Sequence, residues 1–301
     1  MRSPDYNVPE KISDRYPAEI SLAIFERMCR VRYFELGVVD GVERKTITCP
    51  VYLSTGQEAI AAALAPELRS YQIFAQHRAH DLYLSVGGSP EKLRDELLGL
   101  PSGTSGGRAG SNCIQCHEDG LSMFGHHGLI GENVPQAVGA ALGNGRKTVC
   151  IFGDGAAEED YVFSAIGFAA THKLPVLFLC MDNNLSILTI IKTRRNWSIT
   201  KVAEGFGLPA VDIADDPWAV LSNAEQLTKK LPALMNCYVC RGYWHVGVGV
   251  DGPPEWDRFG LVRQALIDRG HDKAIREIED RTRRQMEKVW GKELLLKPLG
   301  K

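Results

Sequence analysis

The apolar positions of this chain follow two different periods. Ile20, Ala23, Ile24, Met28 and Val31 recur at three- and four-residue intervals, which predicts an amphipathic helix from Ala18 to near Gly37. Further helices are predicted over 56–68, where Pro66 marks the last turn, and over 91–98, 133–143 and 158–173. Short apolar runs bounded by glycine, proline or polar residues predict strands over 71–75, 147–152, 176–181, 210–213 and 236–241. The strand at 147–152, the helix at 158–173 and the strand at 176–181 form a βαβ unit, hence a parallel pair. A crossover helix is expected over 217–231, and two C-terminal helices over 257–269 and 271–290. The domain plan is an N-terminal extension over 1–17 and one α/β domain over 18–301, helical in its segment 257–301.

Residues 99–131 obey neither period. They are rich in glycine and poor in aliphatics, and a loop of that length inside a domain is either functional or disordered. Beyond it, chemistry gathers at two strand ends. Gly153, Asp154 and Gly155 close one predicted strand; Asp182, Asn183 and Asn184 close the next. Ligands of open parallel sheets bind beyond the carboxyl ends of the strands. Asp154 and Asn183 stand 29 residues apart, a spacing one crossover helix spans, so their side chains can converge. Both are hard oxygen donors, which suits Mg²⁺. Gly155, Ala156 and Ala157 are small and open a helix, so backbone N–H groups can approach a diphosphate.

GDG, 26 residues, then DNN resembles the thiamin diphosphate-binding motif. RMCRVRYFE (27–35), YLSTGQEAIAAAL (52–64), HRAH (77–80), GGRAGS (106–111), GLIGENVPQAVGAAL (128–142), the whole of 153–184 and CRGYWH (240–245) are similar, in order, to one branch of that superfamily. It is the alpha subunit of the 2-oxo-acid dehydrogenase first component, of pyruvate, branched-chain and acetoin types. The resemblance implies a thiamin diphosphate-binding fold, with a mostly parallel sheet between helical layers.

Carried over position by position, the resemblance implies a site. Asp154 and Asn183, with the backbone oxygen of Leu185, would ligate Mg²⁺. Gly155 and Ala156 would contact the diphosphate through backbone N–H, and Arg78 would pair with a phosphate oxygen. Gly128 and Ile130 would meet the aminopyrimidine, with the apolar side chain propping the cofactor in a bent shape. His245 would face diphosphate and reaction centre and handle protons there; His127 and His80 are the further histidines expected to be catalytic. The Gly-rich loop is expected to depend on cofactor for its order, since glycines have much entropy to lose.

Thiamin chemistry also needs a carboxylate against the aminopyrimidine. In the superfamily it comes from a second α/β half, and this chain shows one sheet's worth of strands. Glu58 does not match the activating glutamate. The resemblance therefore implies a partner, a beta-type subunit bringing that glutamate in an α2β2 heterotetramer, and a lipoyl or acyl carrier to take the product. Several positions depart from the family. Its GSMH is Gly110, Ser111, Asn112 and Cys113 here; a Gly–Asn pair is His126–His127; NQG after GDGAA is Glu158, Glu159 and Asp160. These changes lie nearer substrate than cofactor. They leave open a two-carbon ketol transfer of transketolase type, and a non-catalytic scaffold paralogue.

Composition narrows the field further. With 35 Lys+Arg against 37 Asp+Glu the net charge is −2, so no nucleic-acid partner is expected. No apolar run approaches the ~18 residues of a membrane span. The polar start MRSPDYNVPEKISDRYP does not read as a secretory signal, and eight scattered cysteines suit a reducing, cytoplasmic setting. Cys113, Cys116 and His117 spell a haem-attachment motif, read here as coincidence within the loop. Gly247, Gly249 and Gly252 match a dinucleotide fingerprint, but Pro253 and Pro254 follow where a helix should open.

Overall fold

The computed structural model describes residues 12–126, 128–252 and 256–294. Its helices are α1 (Ala18–Glu43), α2 (Glu58–Leu68), α3 (His80–Ser85), α4 (Pro90–Leu97), α5 (Asn133–Asn144), α6 (Asp160–His172), α7 (Ile191–Arg194), α8 (Ile199–Gly205), α9 (Pro217–Leu227), α10 (Arg258–Asp268) and α11 (Asp272–Trp290). Its strands are β1 (Gln72–Phe74), β2 (Met123–Phe124), β3 (Thr148–Gly153), β4 (Val176–Asp182), β5 (Leu185–Ser186), β6 (Thr189–Ile190), β7 (Ala210–Ala214) and β8 (Ala233–Tyr238). Six of them form one sheet in the order β2-β1-β3-β4-β8-β7, parallel throughout. The hairpin of β5 and β6 stands apart.

Strand alternation divides the interior in two. Val149 and Ile151 of β3 and Leu177, Leu179 and Met181 of β4 join a core with α1, α2, α9, α10 and α11. Cys150, Phe152, Val176, Phe178 and Cys180 point to the other face, where α5, α6 and α8 cover them. Every residue of β4 is buried, which explains why it reads as an unbroken apolar run rather than an alternating one. The result is the α/β class expected, with a mostly parallel sheet between helical layers.

Several boundaries differ from the sequence reading. α1 runs past Gly37 to Glu43. A Cβ on Gly37 would lie 2.2 Å from Trp290 Nε1, so this glycine admits α11 at close range and does not stop the helix. α6 begins at Asp160 after a 3₁₀ turn over Ala156–Glu158, and β8 lies three residues earlier than read. α3, α7, α8 and the β5–β6 hairpin carry too few residues to show a period. The Gly-rich stretch is shaped by a carboxylate: Glu96 of α4, 1% exposed, accepts backbone N–H groups from Ser105, Gly107, Ala109 and Gly110 at 2.7–3.1 Å.

Because all six strands are parallel, their carboxyl ends share one edge. The segments leaving β1, β2, β3, β4 and β8 include 76–78, 126 with 128–130, 154–156, 183–185 and 240–245. Topology alone thus delivers five widely separated pieces of sequence to one place.

Candidate active site

Those five segments enclose a cleft with about 770 Å³ of empty space, part of it open to solvent. Of the residues singled out from sequence, Arg78, Ile130, Asp154, Gly155, Ala156, Asn183, Leu185 and His245 line it. Asp154 follows Gly153, which pairs in register with Met181 of β4, so Asp154 and Asn183 leave neighbouring strand ends. Asn183 Oδ1 accepts the N–H of Leu185 at 3.0 Å, a local turn that fixes the amide beside the Leu185 backbone. A Cβ on Gly155 would lie 2.8 Å from Ser186 Oγ, so the backbone there is bare because the hairpin packs close.

The electrostatics suit a cation. Asp154 is 1% exposed, and burial together with Asp182 pushes its carboxyl up to about 6. A buried carboxylate under that pressure gains from a positive partner; Arg194 Nη2 donates to its Oδ2. Asp154, Asn183 and a backbone carbonyl are also the hard-oxygen set that Mg²⁺ accepts. The residues present therefore fit a divalent cation.

Arg78 is buried, and its guanidinium is a fastener. It donates to Leu53 O, and to the backbone O of His245 at 3.1 Å. Burial and the neighbouring Arg241 lower it to about 10. His245 itself is shifted down to about 4 by burial, Arg78 and Arg241, so the imidazole is neutral near pH 7. A neutral imidazole can accept or donate a proton, as proton handling requires.

The other expected residues fall elsewhere. His80 is fully buried and does not line the cleft. Its Nδ1 lies 3.1 Å from Glu35 Oε1 and its Nε2 2.9 Å from Ser111 Oγ. Both ring nitrogens are thus engaged by Glu35 and Ser111, away from the lining of the cleft. Gly128 sits on the rim with φ +111°, its N–H donated to His126 Nδ1 at 3.0 Å, and is not among the lining residues. His127 lies outside the described residues. Glu58 is buried against Arg32, which also forks onto Asp257 at 2.7 and 2.9 Å.

Sequence reasoning passed over His77 and His126. Both line the cleft, and the His77 ring lies 5.3 Å from that of His245, 5.8 Å from that of His126 and 4.9 Å from that of Tyr52. Burial, with Arg78 and the other two histidines, drives His77 down to about 2. The signal was in the chain: His77 opens the HRAH segment one residue before Arg78. Cys116 and His117 pack otherwise. Cys116 pairs through its backbone with Met123, and the His117 ring meets Phe124 at 4.8 Å. Among the described residues no group of three or more His, Cys, Asp or Glu could hold a metal ion, and no helix is long and apolar enough to cross a membrane. No helix opens within the Gly247–Gly252 run; α10 starts only at Arg258.

The chain is 32% identical over 220 residues to the pyruvate dehydrogenase E1 component subunit alpha of Zymomonas mobilis, covering 69% of this chain and 61% of that relative. It is 34% identical over 175 residues to the mitochondrial pyruvate dehydrogenase E1 component subunit alpha of Dictyostelium discoideum, covering 56% and 45%. With the alpha subunit of an acetoin:2,6-dichlorophenolindophenol oxidoreductase from Cupriavidus necator it shares 28% over 244 residues, covering 75% and 72%. The first two matches thus span about half to three-fifths of the relatives' own length. Among solved structures, transketolase from Campylobacter jejuni matches with a TM-score of 0.59 at 18% identity, covering 92% of this chain and 49% of that one, a likeness of fold. A family model described as dehydrogenase E1 component matches residues 26–247, nearly three-quarters of the sequence; the chain belongs to that family.

Proposed function

We propose that this chain is the alpha-type subunit of a two-component thiamin diphosphate-dependent enzyme that cleaves the C–C bond of a 2-oxo acid next to its carbonyl and passes the acyl unit to a carrier, such as a lipoyl domain. The observation that carries the reading is the convergence of Asp154, Gly155, Ala156, Asn183 and Leu185 on one cleft at the ends of β3 and β4. When bound, thiamin diphosphate would supply a nucleophilic carbon and an electron sink for cleavage next to the carbonyl.

The chain's own residues would bind and orient. Asp154, Asn183 and the Leu185 carbonyl would hold Mg²⁺, whose charge would offset that of the diphosphate. Gly155 and Ala156 would offer backbone N–H groups, and Arg78 its charge. Ile130, 36% exposed, would present an apolar side chain to the cofactor rings from the loop that also holds Gly128. His245, kept neutral, would move the proton; His127, outside the described residues, is the second histidine proposed for that role.

A beta-type subunit would supply the activating glutamate in an α2β2 assembly. Two features support this. The transketolase likeness takes up 49% of that chain, leaving room for a second half. The cleft lip is also apolar: Leu129, Ile187, Leu188, Trp244 and Val246 neighbour or line it and are 43–76% exposed, more than a finished surface needs. A reducing, cytoplasmic setting is proposed on the eight free thiols. The test is turnover by this chain co-expressed with its beta-type subunit. Release of CO₂ from pyruvate or a branched 2-oxo acid, with reduction of added lipoamide, is the expected result. Turnover of a ketose phosphate instead would replace it with ketol transfer, and a stable complex inert to both would leave a scaffold.

A further inference from the structure

The acidic turn at Glu158, just before α6, is a departure from the resembling family that the proposed chemistry does not use. The structure gives it a partner. Arg194, the last residue of α7, forks: Nη1 donates to Glu158 Oε1 and Nη2 to Asp154 Oδ2. Arg195 reinforces the same spot. Its Nη1 donates to the backbone O of Asp154 at 3.0 Å and lies 3.5 Å from Glu158 Oε1, and its guanidinium lies over the Trp197 ring at 4.5 Å. The Arg194 side chain is 12% exposed and that of Asp154 2%, so this is a buried ion pair on a carboxylate proposed to hold Mg²⁺.

We propose that Arg194 is a positioning residue of the cofactor site, a built-in counter-cation that holds the Asp154 carboxylate and is exchanged for the divalent metal, so that metal entry releases α7. The inference rests on the reading of Asp154 as a metal ligand. Three features carry it. A guanidinium and a divalent cation on one buried carboxylate repel each other strongly, because little water screens them. Glu158 keeps Arg194 paired when Asp154 lets go, which avoids stranding a buried cation and makes the exchange cheap. Finally, Leu185 and Arg194 are joined by nothing but the β5–β6 hairpin and one turn of helix, so a metal drawn to the Leu185 carbonyl pulls on the segment that carries the latch.

The test uses Mn²⁺ as the probe, titrated by calorimetry into the complex of this chain with its beta-type subunit and thiamin diphosphate. Arg194→Gln is expected to bind Mn²⁺ about tenfold more tightly than wild type, since no cation competes. Equal or weaker binding overturns the proposal, and means that Arg194 stays on Oδ2 while the metal takes Oδ1. Hydrogen exchange on the wild-type complex decides independently, should the variant not fold. Amides 191–195 are expected to exchange faster once Mn²⁺ and thiamin diphosphate are added; unchanged or slower exchange overturns the latch. A wild-type complex that takes up no Mn²⁺ at all defeats the metal-site reading and the latch together. That result is distinct from failure of the latch alone, where wild type binds and the variant gains nothing.

Discussion

Glu96 accepts the backbone N–H of Gly107 at 2.9 Å, and the same carboxylate takes three more N–H groups from the loop wrapped around it. A glycine-rich segment that sequence alone assigns to cofactor-dependent order is thereby organised by the protein itself. Glu96→Ala would leave four loop amides without their acceptor. We expect a loss of about 2–4 kcal/mol in denaturant unfolding, with Glu96→Gln losing less because one acceptor oxygen remains. A loss below 0.5 kcal/mol, on the order of a surface change, would show that the loop does not depend on this carboxylate.

Gly56 marks a second close approach. It has φ +99°, and a Cβ there would lie 2.3 Å from Cys240 O and 2.8 Å from Gly242 N. The neighbouring Thr55 O accepts the Gly242 N–H at 2.7 Å, so this contact seats the segment that ends in His245. Gly56→Ala is expected to cost about 3 kcal/mol or more, through a strained backbone and a displaced strand exit. Thermal unfolding checks it; a wild-type melting temperature would contradict the packing described.

Much of the fold was legible because long elements carry clear periods. β3, α6 and β4 emerge from the alternation of apolar and polar residues, and the site follows from where parallel strands end. The failures have physical causes. Gly37 looks like a stop but serves as a contact for Trp290, a relationship between residues 253 positions apart. His80 stands two residues from Arg78 in the chain, yet the first turn of α3 aims its ring at Glu35 and Ser111 and not into the cleft. Arg194 could not be read as a partner of Asp154, since the hairpin that returns it is four residues of strand with no hydrophobic pattern.

The pH dependence of stability should carry the mark of His77. Its folded value is near 2, against an unfolded value near 6.5. Below about pH 6.5 the unfolded chain therefore binds a proton that the native state refuses, so this residue's contribution to stability falls as pH falls. Asp81, raised to about 7, and Asp154 and Asp215, raised to about 6, act in the opposite sense by taking up protons in the folded state. Comparison with His77→Asn isolates the histidine. Wild type should lose roughly 1.4 kcal/mol per pH unit more than the variant between pH 6 and 4. Parallel curves would place His77 in a hydrated setting.

Glu58 offers a test of which glutamate serves structure. Its carboxylate takes Arg32 Nε and the N–H of Gly56, and the guanidinium of Arg32 continues to Asp257. Glu58→Gln breaks a buried ion pair and should cost about 3 kcal/mol of stability. Deuterium exchange at the reactive carbon of thiamin diphosphate, followed in the reconstituted complex, should continue at the wild-type rate. Loss of that exchange would move the activating carboxylate into this chain.

The most direct measurement is a calorimetric titration of thiamin diphosphate with Mg²⁺ into the complex of this chain and its beta-type subunit, with an Asp154→Ala complex beside it. The cofactor site described here predicts saturable binding to wild type and its disappearance in the variant, with the assembly intact. Equal binding by both, or none by a stable wild-type complex, would contradict it.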